Sequence, residues 1–244
     1  MPHYLSADAA QRSAGARPAL HDFIARQFRD LVRNPLFPCT IARGTAAQDR
    51  IAVSVYDDLA DLGVAGLLLD DLYGFIGDHP LGAAGFHSFA ALFAAPGATS
   101  ETRFETLLWS LAQRLHDLDR LRYRWDPSVA SDPASGEFSF SLGGRALFLV
   151  GMHPGASRHA RRFAYPAIVF NTHAQFEALR AKGSYVTVRD RVRANDMMLQ
   201  GSINPSLQDH GLSSEARQYS GRRVEAGWLC PFRSGAGPLE TGVP

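Results

Sequence analysis

A histidine followed by three arginines is the most unusual chemical pattern in this chain. His153 comes directly after an apolar run, and Arg158, Arg161 and Arg162 follow within nine residues of it. A neutral imidazole is a common ligand for iron, zinc and copper, and arginines hold carboxylates by charge-assisted hydrogen bonds. A haem would use both, because its iron takes an axial ligand and its propionates take cationic partners. The alternative is a turn histidine in a solvated basic loop.

Two cysteines in near-mirror contexts offer a second set of metal ligands. Cys39 follows Phe37-Pro38, and Cys230 precedes Pro231-Phe232. A cysteine thiolate binds haem iron or zinc, and a neighbouring proline fixes the backbone beside it. Two alternatives stay open. The cysteines could be small buried apolar side chains, or they could form one disulfide, which a reducing compartment disfavours.

Carboxylates that could bind a cationic substrate are scattered along the chain. The candidates are Asp70, Asp71, Asp196, Asp209 and Glu215. Asp70 and Asp71 are adjacent on a predicted helix, where neighbouring side chains point about 100° apart, so they do not act as a pair. Asp209 and Glu215 bracket part of a long irregular stretch, and such stretches are often functional. For each acid, a helix cap or a solvated charge is the alternative.

The first half of the chain predicts helices and strands that alternate. Apolar residues recur at helical spacing from Leu20 to Val32, and that helix must end before Asn34-Pro35. Thr102-x-x-Glu105 fits a capping box that opens a long helix. The other elements predicted here are a strand over 51–56, a helix over 59–76 and a strand over 86–93.

The second half predicts a β-hairpin and further helices. Residues 137–142 alternate strictly, Gly143-Gly144 can turn, and residues 146–150 are apolar throughout, which is a strong hairpin signal. The phenylalanines of the first strand are buried if its serines face outward. A short strand over 167–170 follows, then a helix opened by Thr172-x-x-Gln175 and another over 185–197.

These elements predict an α+β fold whose central sheet is largely antiparallel and flanked by helices. We expect a single domain over 17–233, with a flexible N-terminus over 1–16 and a flexible tail over 234–244. The predicted strands are short and the helices lie between them. No repeat and no convincing linker divides the chain.

Composition and charge exclude several classes of protein. The net charge of +1 lacks the basic surplus of a general nucleic-acid binder. The longest apolar run, at 62–69, is far short of the ~20 residues that span a bilayer. The N-terminus lacks the apolar stretch of a signal peptide. With two distant cysteines, a cytoplasmic, reducing location is expected. Lys182 is the only lysine, which argues against a Schiff-base enzyme.

The near-neutral total conceals two opposed regions. Residues 145–193 hold nine basic and two acidic side chains, a local charge of +7. Residues 51–102 hold seven acids and no lysine or arginine, a local charge of −7. The basic region includes His153 and the arginines after it, so an anionic ligand is expected there.

A series of ordered motifs resembles the YqcI/YcgG family. Phe37-Pro38-Cys39 matches its N-terminal signature, and Met152 is a conservative departure where a leucine or similar residue is expected. The other matching segments lie at 139–144, 150–154, 157–163, 169–177, 200–205, 214–222 and 228–232. The resemblance extends from about Leu20 to Phe232.

The resemblance implies a haem protein. Characterised members of the family are haem-dependent N-oxygenases that hydroxylate a guanidine nitrogen of arginine or a derivative in natural-product pathways. It thus implies haem b, O2, an external electron donor and a small guanidine substrate, with no nucleic acid and no membrane as partners. A homodimer is left open.

The resemblance leaves the residue roles to be assigned here. For the axial iron ligand we rank His153 first, Cys39 as its rival and Cys230 third. Arg158, Arg161 and Arg162 are the expected propionate partners. Glu215 is the first choice for the carboxylate that binds the guanidinium group, and Asp209 is the second. The alternatives are a non-catalytic haem carrier or sensor, and a non-haem metal hydrolase that uses His153 and a cysteine.

Overall fold

Five strands form one sheet, in the order β1-β2-β5-β4-β3, with helices on both faces. The computed structural model describes residues 16–81, 85–97, 99–203 and 213–235. The strands are β1 (Ile51–Asp58), β2 (Ser88–Ala95), β3 (Phe140–Leu142), β4 (Arg145–Met152) and β5 (Ala167–Thr172). The helices are α1 (Ala16–Arg33), α2 (Thr40–Ala47), α3 (Ala65–Asp78), α4 (Glu101–Asp119), α5 (His173–Ala181), α6 (Tyr185–Gln200) and α7 (Ala216–Tyr219).

The predicted fold class is confirmed. Only β1 and β2 run parallel, and the pairs β2–β5, β5–β4 and β4–β3 are antiparallel. The parallel pair is connected through α3, since a parallel connection needs a crossover. The predicted helix after residue 59 is a short 3-10 turn at Leu62–Val64 followed by α3. The segments 1–15 and 236–244 lie outside the described residues.

The β3–β4 hairpin forms as predicted around its two glycines. Gly143 and Gly144 have φ values of 59° and 69°, which matches a two-residue turn with left-handed backbone at both positions. The Asp119 carboxylate at the end of α4 holds this turn. Its Oδ1 accepts hydrogen bonds from the Gly143 amide at 2.8 Å and the Tyr73 hydroxyl at 2.7 Å.

The apolar residues of the first hairpin strand, Phe138, Phe140 and Leu142, are buried as predicted, but its serines do not face outward. Ser139 and Ser141 are as buried as the phenylalanines beside them. The Ser139 hydroxyl donates to the Leu147 carbonyl at 3.3 Å, and the Ser141 hydroxyl accepts from the Asp126 amide at 3.0 Å. Both faces of this strand are covered, and small hydroxyl side chains satisfy buried backbone groups there.

The two faces of the sheet carry separate apolar cores. One face, which we call the α4 face, packs against α3, α4 and α7, and its core includes Phe104, Leu149 and Tyr219. The opposite face, the α1 face, packs against α1 and includes Phe28 and Met152. Side chains alternate between the two faces along each strand. Most strand residues therefore pack into one core or the other.

The start of α4 differs from the predicted capping box. Ser100 is the N-cap, and its hydroxyl accepts from the Arg103 amide at 3.2 Å. Glu105 does not reach back to the helix start. It is buried and forms an ion pair with Arg222, with 2.8 Å between Oε2 and Nη2. Glu105 therefore fastens the C-terminal segment to α4.

In the described part of the chain, no helix has the length and hydropathy to cross a membrane.

Replacing Asp119 by alanine should destabilise the protein. The change leaves the Gly143 amide and the Tyr73 hydroxyl without their acceptor, which costs about 1–3 kcal/mol. Urea unfolding followed by circular dichroism measures the loss. Asp70→Ala is the matched control, because Asp70 is an exposed aspartate on α3, and its change should stay within about 0.5 kcal/mol. Equal effects of the two variants would contradict this role for Asp119.

Candidate functional site

An apolar cavity of about 230 Å³ lies between the α1 face of the sheet and helices α1, α2 and α6. Val150, Met152 and Val169 line it from the strands. A second cavity of about 190 Å³ is lined from α5, α6 and the segment that leads into α7. The two share the lining residues Cys39, Ile41, Phe148, Phe176 and Val192, so they adjoin.

Cys39 lines both cavities and caps α2. It is the N-cap residue, with extended backbone, and its Sγ accepts a hydrogen bond from the Ala42 amide at 3.4 Å. Burial raises the pKa of the thiol, while the amide bonds of the cap and the positive charge of Arg161 act in the opposite direction. The Asn195 side chain on α6 donates to the Pro38 carbonyl at 2.9 Å. This contact holds the cysteine segment against α6.

His153 lies on the other side of the sheet. The residue before it, Met152, lines the first cavity, and His153 points the opposite way, toward α4. Its ring stacks on Phe104 with 4.4 Å between centroids and 22° between planes. It is fully buried and lines neither cavity. Burial lowers the pKa of His153, against the raising effects of Glu101 and the Thr99 carbonyl.

Cys230 also lies in the core of the α4 face. It lines neither of the two cavities, and burial raises the pKa of its thiol to about 12. Both cysteines are free, so the disulfide alternative is not realised. Of the three residues ranked as iron ligands, only Cys39 lines these two adjoining cavities, whereas Cys230 lines a separate one beside Trp228 and Arg233.

The three arginines after His153 do not form one set. Arg158 lines the first cavity and pairs with Asp196 of α6, and its guanidinium also donates to the Ser202 hydroxyl at 2.8 Å. Arg161 lines the same cavity and donates to the Gly151 carbonyl at 3.0 Å. Burial lowers the pKa of Arg161 to about 10.

Arg162 stands apart from the other two. It is exposed, lines neither cavity, and donates from Nε to the Ala156 carbonyl at 2.6 Å. Three other arginines line the second cavity from α5 and α6, namely Arg180, Arg189 and Arg193. The sequence placed them in the basic region without assigning them to a site. The 189/193 pair has the i, i+4 spacing that brings side chains together on a helix.

Glu215 lines the second cavity, which Cys39 also lines. It is buried, and two polar side chains contact its carboxylate. The Tyr219 hydroxyl donates to Oε2 at 3.4 Å, and His173 Nε2 lies 3.6 Å from Oε1. His173 Nδ1 lies 3.8 Å from an oxygen of Glu177, which is half exposed. His173 thus stands between a cavity carboxylate and a surface carboxylate.

His173 was not among the candidate site residues selected from the sequence. The sequence feature that could have indicated a functional role for His173 is its position directly after a buried strand, where loops and helix starts position reactive groups.

The remaining candidate acids lie elsewhere in the structure. Asp70 is exposed, and Asp71 is buried and accepts from the Tyr56 hydroxyl at 2.7 Å. Asp209 lies outside the described residues. Within those residues, no group of three or more His, Cys, Asp or Glu is placed to hold a metal ion.

Comparison with known proteins gives one match. A profile of the YqcI/YcgG family matches residues 28–233. The chain belongs to the YqcI/YcgG family. No curated protein and no solved structure matches it. The matched range contains Cys39, Glu215 and all the described lining residues of the two cavities, so this YqcI/YcgG member carries its candidate site wholly within the family region.

Alkylation should distinguish the two cysteines. Iodoacetamide is expected to modify Cys39 before Cys230, because Cys39 is partly exposed, whereas Cys230 is buried and its pKa is raised to about 12. Both reactions should accelerate as the pH rises above 8, since the thiolate is the nucleophile and both thiol pKa values are raised. Peptide mass spectrometry over time measures this, and Cys39→Ser should remove the faster reaction. Equal rates at the two sites would contradict the assignment.

Proposed function

We propose that this chain is a haem b-dependent N-oxygenase that hydroxylates a guanidine nitrogen of L-arginine or an arginine-derived metabolite. The observation that carries the proposal is the placement of Cys39 and Glu215 on adjoining apolar cavities. The first is a thiol that can hold iron, and the second is a buried carboxylate that can hold a guanidinium group. Such a pair suits a cofactor and a cationic substrate side by side.

The residues present fit a haem. Its macrocycle needs apolar walls, and the first cavity supplies them from aromatic and branched side chains of the strands and helices. Its iron needs an axial donor, and a cysteine thiolate is one of those that proteins use. Its propionates need cations, and Arg180, Arg189 and Arg193 line the second cavity. When bound, the haem supplies the activation of O2 with electrons from an external donor.

Cys39 would hold the iron, which changes our ranking of the ligands. A metal deprotonates a coordinating thiol outright, so the raised pKa of the free thiol does not prevent binding. The Ala42 amide at 3.4 Å would donate to the thiolate, and the positive charge of Arg161 would favour it. His153 would instead support the sheet from the α4 face.

Glu215 would bind and orient the substrate. A carboxylate and a guanidinium group form paired charge-assisted hydrogen bonds, which fix both the distance and the plane of the substrate. The Tyr219 hydroxyl at 3.4 Å and His173 at 3.6 Å hold the carboxylate in place. The nitrogen to be oxidised must carry a lone pair, so the guanidinium must give up a proton. Glu215 Oε1 would accept that proton, with His173 behind it.

The cavity walls would exclude water from the reacting nitrogen. Apolar side chains such as Phe148 and Phe176 line both cavities. An apolar environment disfavours the charged form of a buried base, which helps the substrate to lose its proton.

We further propose a cytoplasmic location, which keeps both cysteines reduced.

Cys39→Ser should remove the Soret band of the purified protein or abolish its thiolate character. His153→Ala should keep haem, because His153 lies on the α4 face beside Phe104. Visible spectra of protein expressed with adequate haem supply measure both. Loss of haem in His153→Ala with retention in Cys39→Ser would return the assignment to His153. A wild-type protein without a Soret band would overturn the haem proposal itself.

Glu215→Gln should lower kcat/KM for arginine about 10- to 100-fold while leaving the haem spectrum unchanged. One charge-assisted contact to the guanidinium is weakened, worth about 1.5–3 kcal/mol. Arginine-dependent O2 consumption with a reductant, and mass spectrometry of the hydroxylated product, measure it. Glu137→Gln is the matched control, since Glu137 is exposed and lines neither cavity. Haem binding without any arginine-dependent product would favour the carrier or sensor alternative.

A further inference from the structure

A third cavity, of about 370 Å³, has a wall of basic side chains. Its charged or titratable lining residues in the described part of the chain are His79, His87, Arg145 and Lys182, and none of these described lining residues is an aspartate or glutamate. It shares only apolar side chains with the two cavities described above. The function proposed above uses none of these four groups.

Four separate segments bring the basic groups together. His79 ends α3, His87 precedes β2, Arg145 begins β4 and Lys182 follows α5. Lys182 is the only lysine in the chain. The convergence is therefore a product of the fold, since no two of the four are near neighbours in sequence except the histidines.

Hydrogen bonds hold the two histidine segments in place. The Gln175 side-chain amide pairs with the backbone of His87, accepting from its N–H at 2.6 Å and donating to its carbonyl at 2.9 Å. Arg145 donates to the His79 carbonyl at 3.2 Å, and His79 Nδ1 lies 2.8 Å from the Phe75 carbonyl. The two imidazole rings lie 4.2 Å apart, centroid to centroid. These contacts hold the basic wall of the cavity in place without a ligand.

Arg145 and Lys182 are the two permanently charged groups of this wall. Among the described residues, neither Arg145 nor Lys182 has a carboxylate within ion-pair distance. Two positive side chains on one cavity wall make the local potential positive, which favours the binding of an anion. The guanidinium of Arg145 can bind a phosphate or carboxylate group through two nitrogens, and Lys182 adds a point charge.

We propose that this basic cavity binds a small anion with a phosphate or carboxylate group, at a site separate from the proposed haem cavity. Pro80, Leu81 and Phe86 give it an apolar side that accommodates the organic part of such a ligand. Binding here needs no haem and no guanidine substrate, so it can be tested independently of the proposed function.

Isothermal titration calorimetry tests the site with two probes, inorganic phosphate and succinate, at constant ionic strength set with sodium chloride. Saturable binding of either probe is expected, and the comparison shows which group the site takes. Arg145→Gln should weaken binding at least about tenfold, since a hydrogen bond to a charged group contributes about 1.5–3 kcal/mol. Lys182→Met should weaken it about two- to fivefold, as for an exposed charge.

Arg191→Gln is the matched control, because Arg191 is an exposed arginine on α6 that lines none of the three cavities. Its affinity for the probes should equal that of the wild type. Circular dichroism shows whether each variant is folded. If Arg145→Gln does not fold, Lys182→Met still tests the site, because Lys182 is exposed and its replacement should not disturb the fold. No saturable binding of either probe, or the same affinity in Lys182→Met and in every folded variant, would overturn the proposal.

Discussion

Strand β4 presents alternate side chains to two different environments, and the candidate site depends on that alternation. Phe148, Val150 and Met152 line the cavities, while Leu147 and Leu149 enter the core of the α4 face. Side chains of a strand point to opposite faces with a period of two. A histidine one residue beyond Met152 is therefore directed away from the ligand cavity. The distance along the chain is minimal, but the two residues belong to different cores.

The α4 face is tightly packed against β4 at Gly151. A methyl group added at Gly151 would lie 2.6 Å from the Phe104 ring and 2.8 Å from the Tyr219 carbonyl. Helices α4 and α7 approach the strand that closely only because residue 151 has no side chain. His153 stacks on the same Phe104 ring and completes this dense layer. The α1 face, by contrast, leaves room between the strands and α2 and α6.

The sequence predicted the elements better than the partners of each side chain. The Gly143-Gly144 hairpin was readable because turn chemistry is local. The face of the sheet on which His153 lies could not be predicted, because β4 is apolar on both faces and its sequence does not alternate between apolar and polar residues. The placement of Cys39 and Glu215 on the same cavity depends on the sheet and on α6, so no spacing in the sequence predicts it. The N-cap of α4 was predicted at Thr102 but is Ser100, which is a smaller error. The predicted capping partner, Glu105, pairs instead with Arg222, which is distant in sequence.

Helix α6 is joined to the rest of the molecule in an unusual way for a cavity wall. Asp196 is its only buried residue, and its attachments are polar. They run from Asp196 to Arg158, from Asn195 to the Pro38 carbonyl, and from Gln200 to the Ser157 carbonyl and the His159 amide. The neutral hydrogen bonds fix orientation but contribute only about 0.5–1.5 kcal/mol each, because water replaces the partner when they break, and the Asp196–Arg158 ion pair contributes about 1.5–3 kcal/mol. Displacing α6 exposes little apolar surface, so this wall opens at a lower cost than the walls built from the sheet. The sheet therefore sets the shape of the cavity, and α6 is the wall whose position depends most on polar contacts.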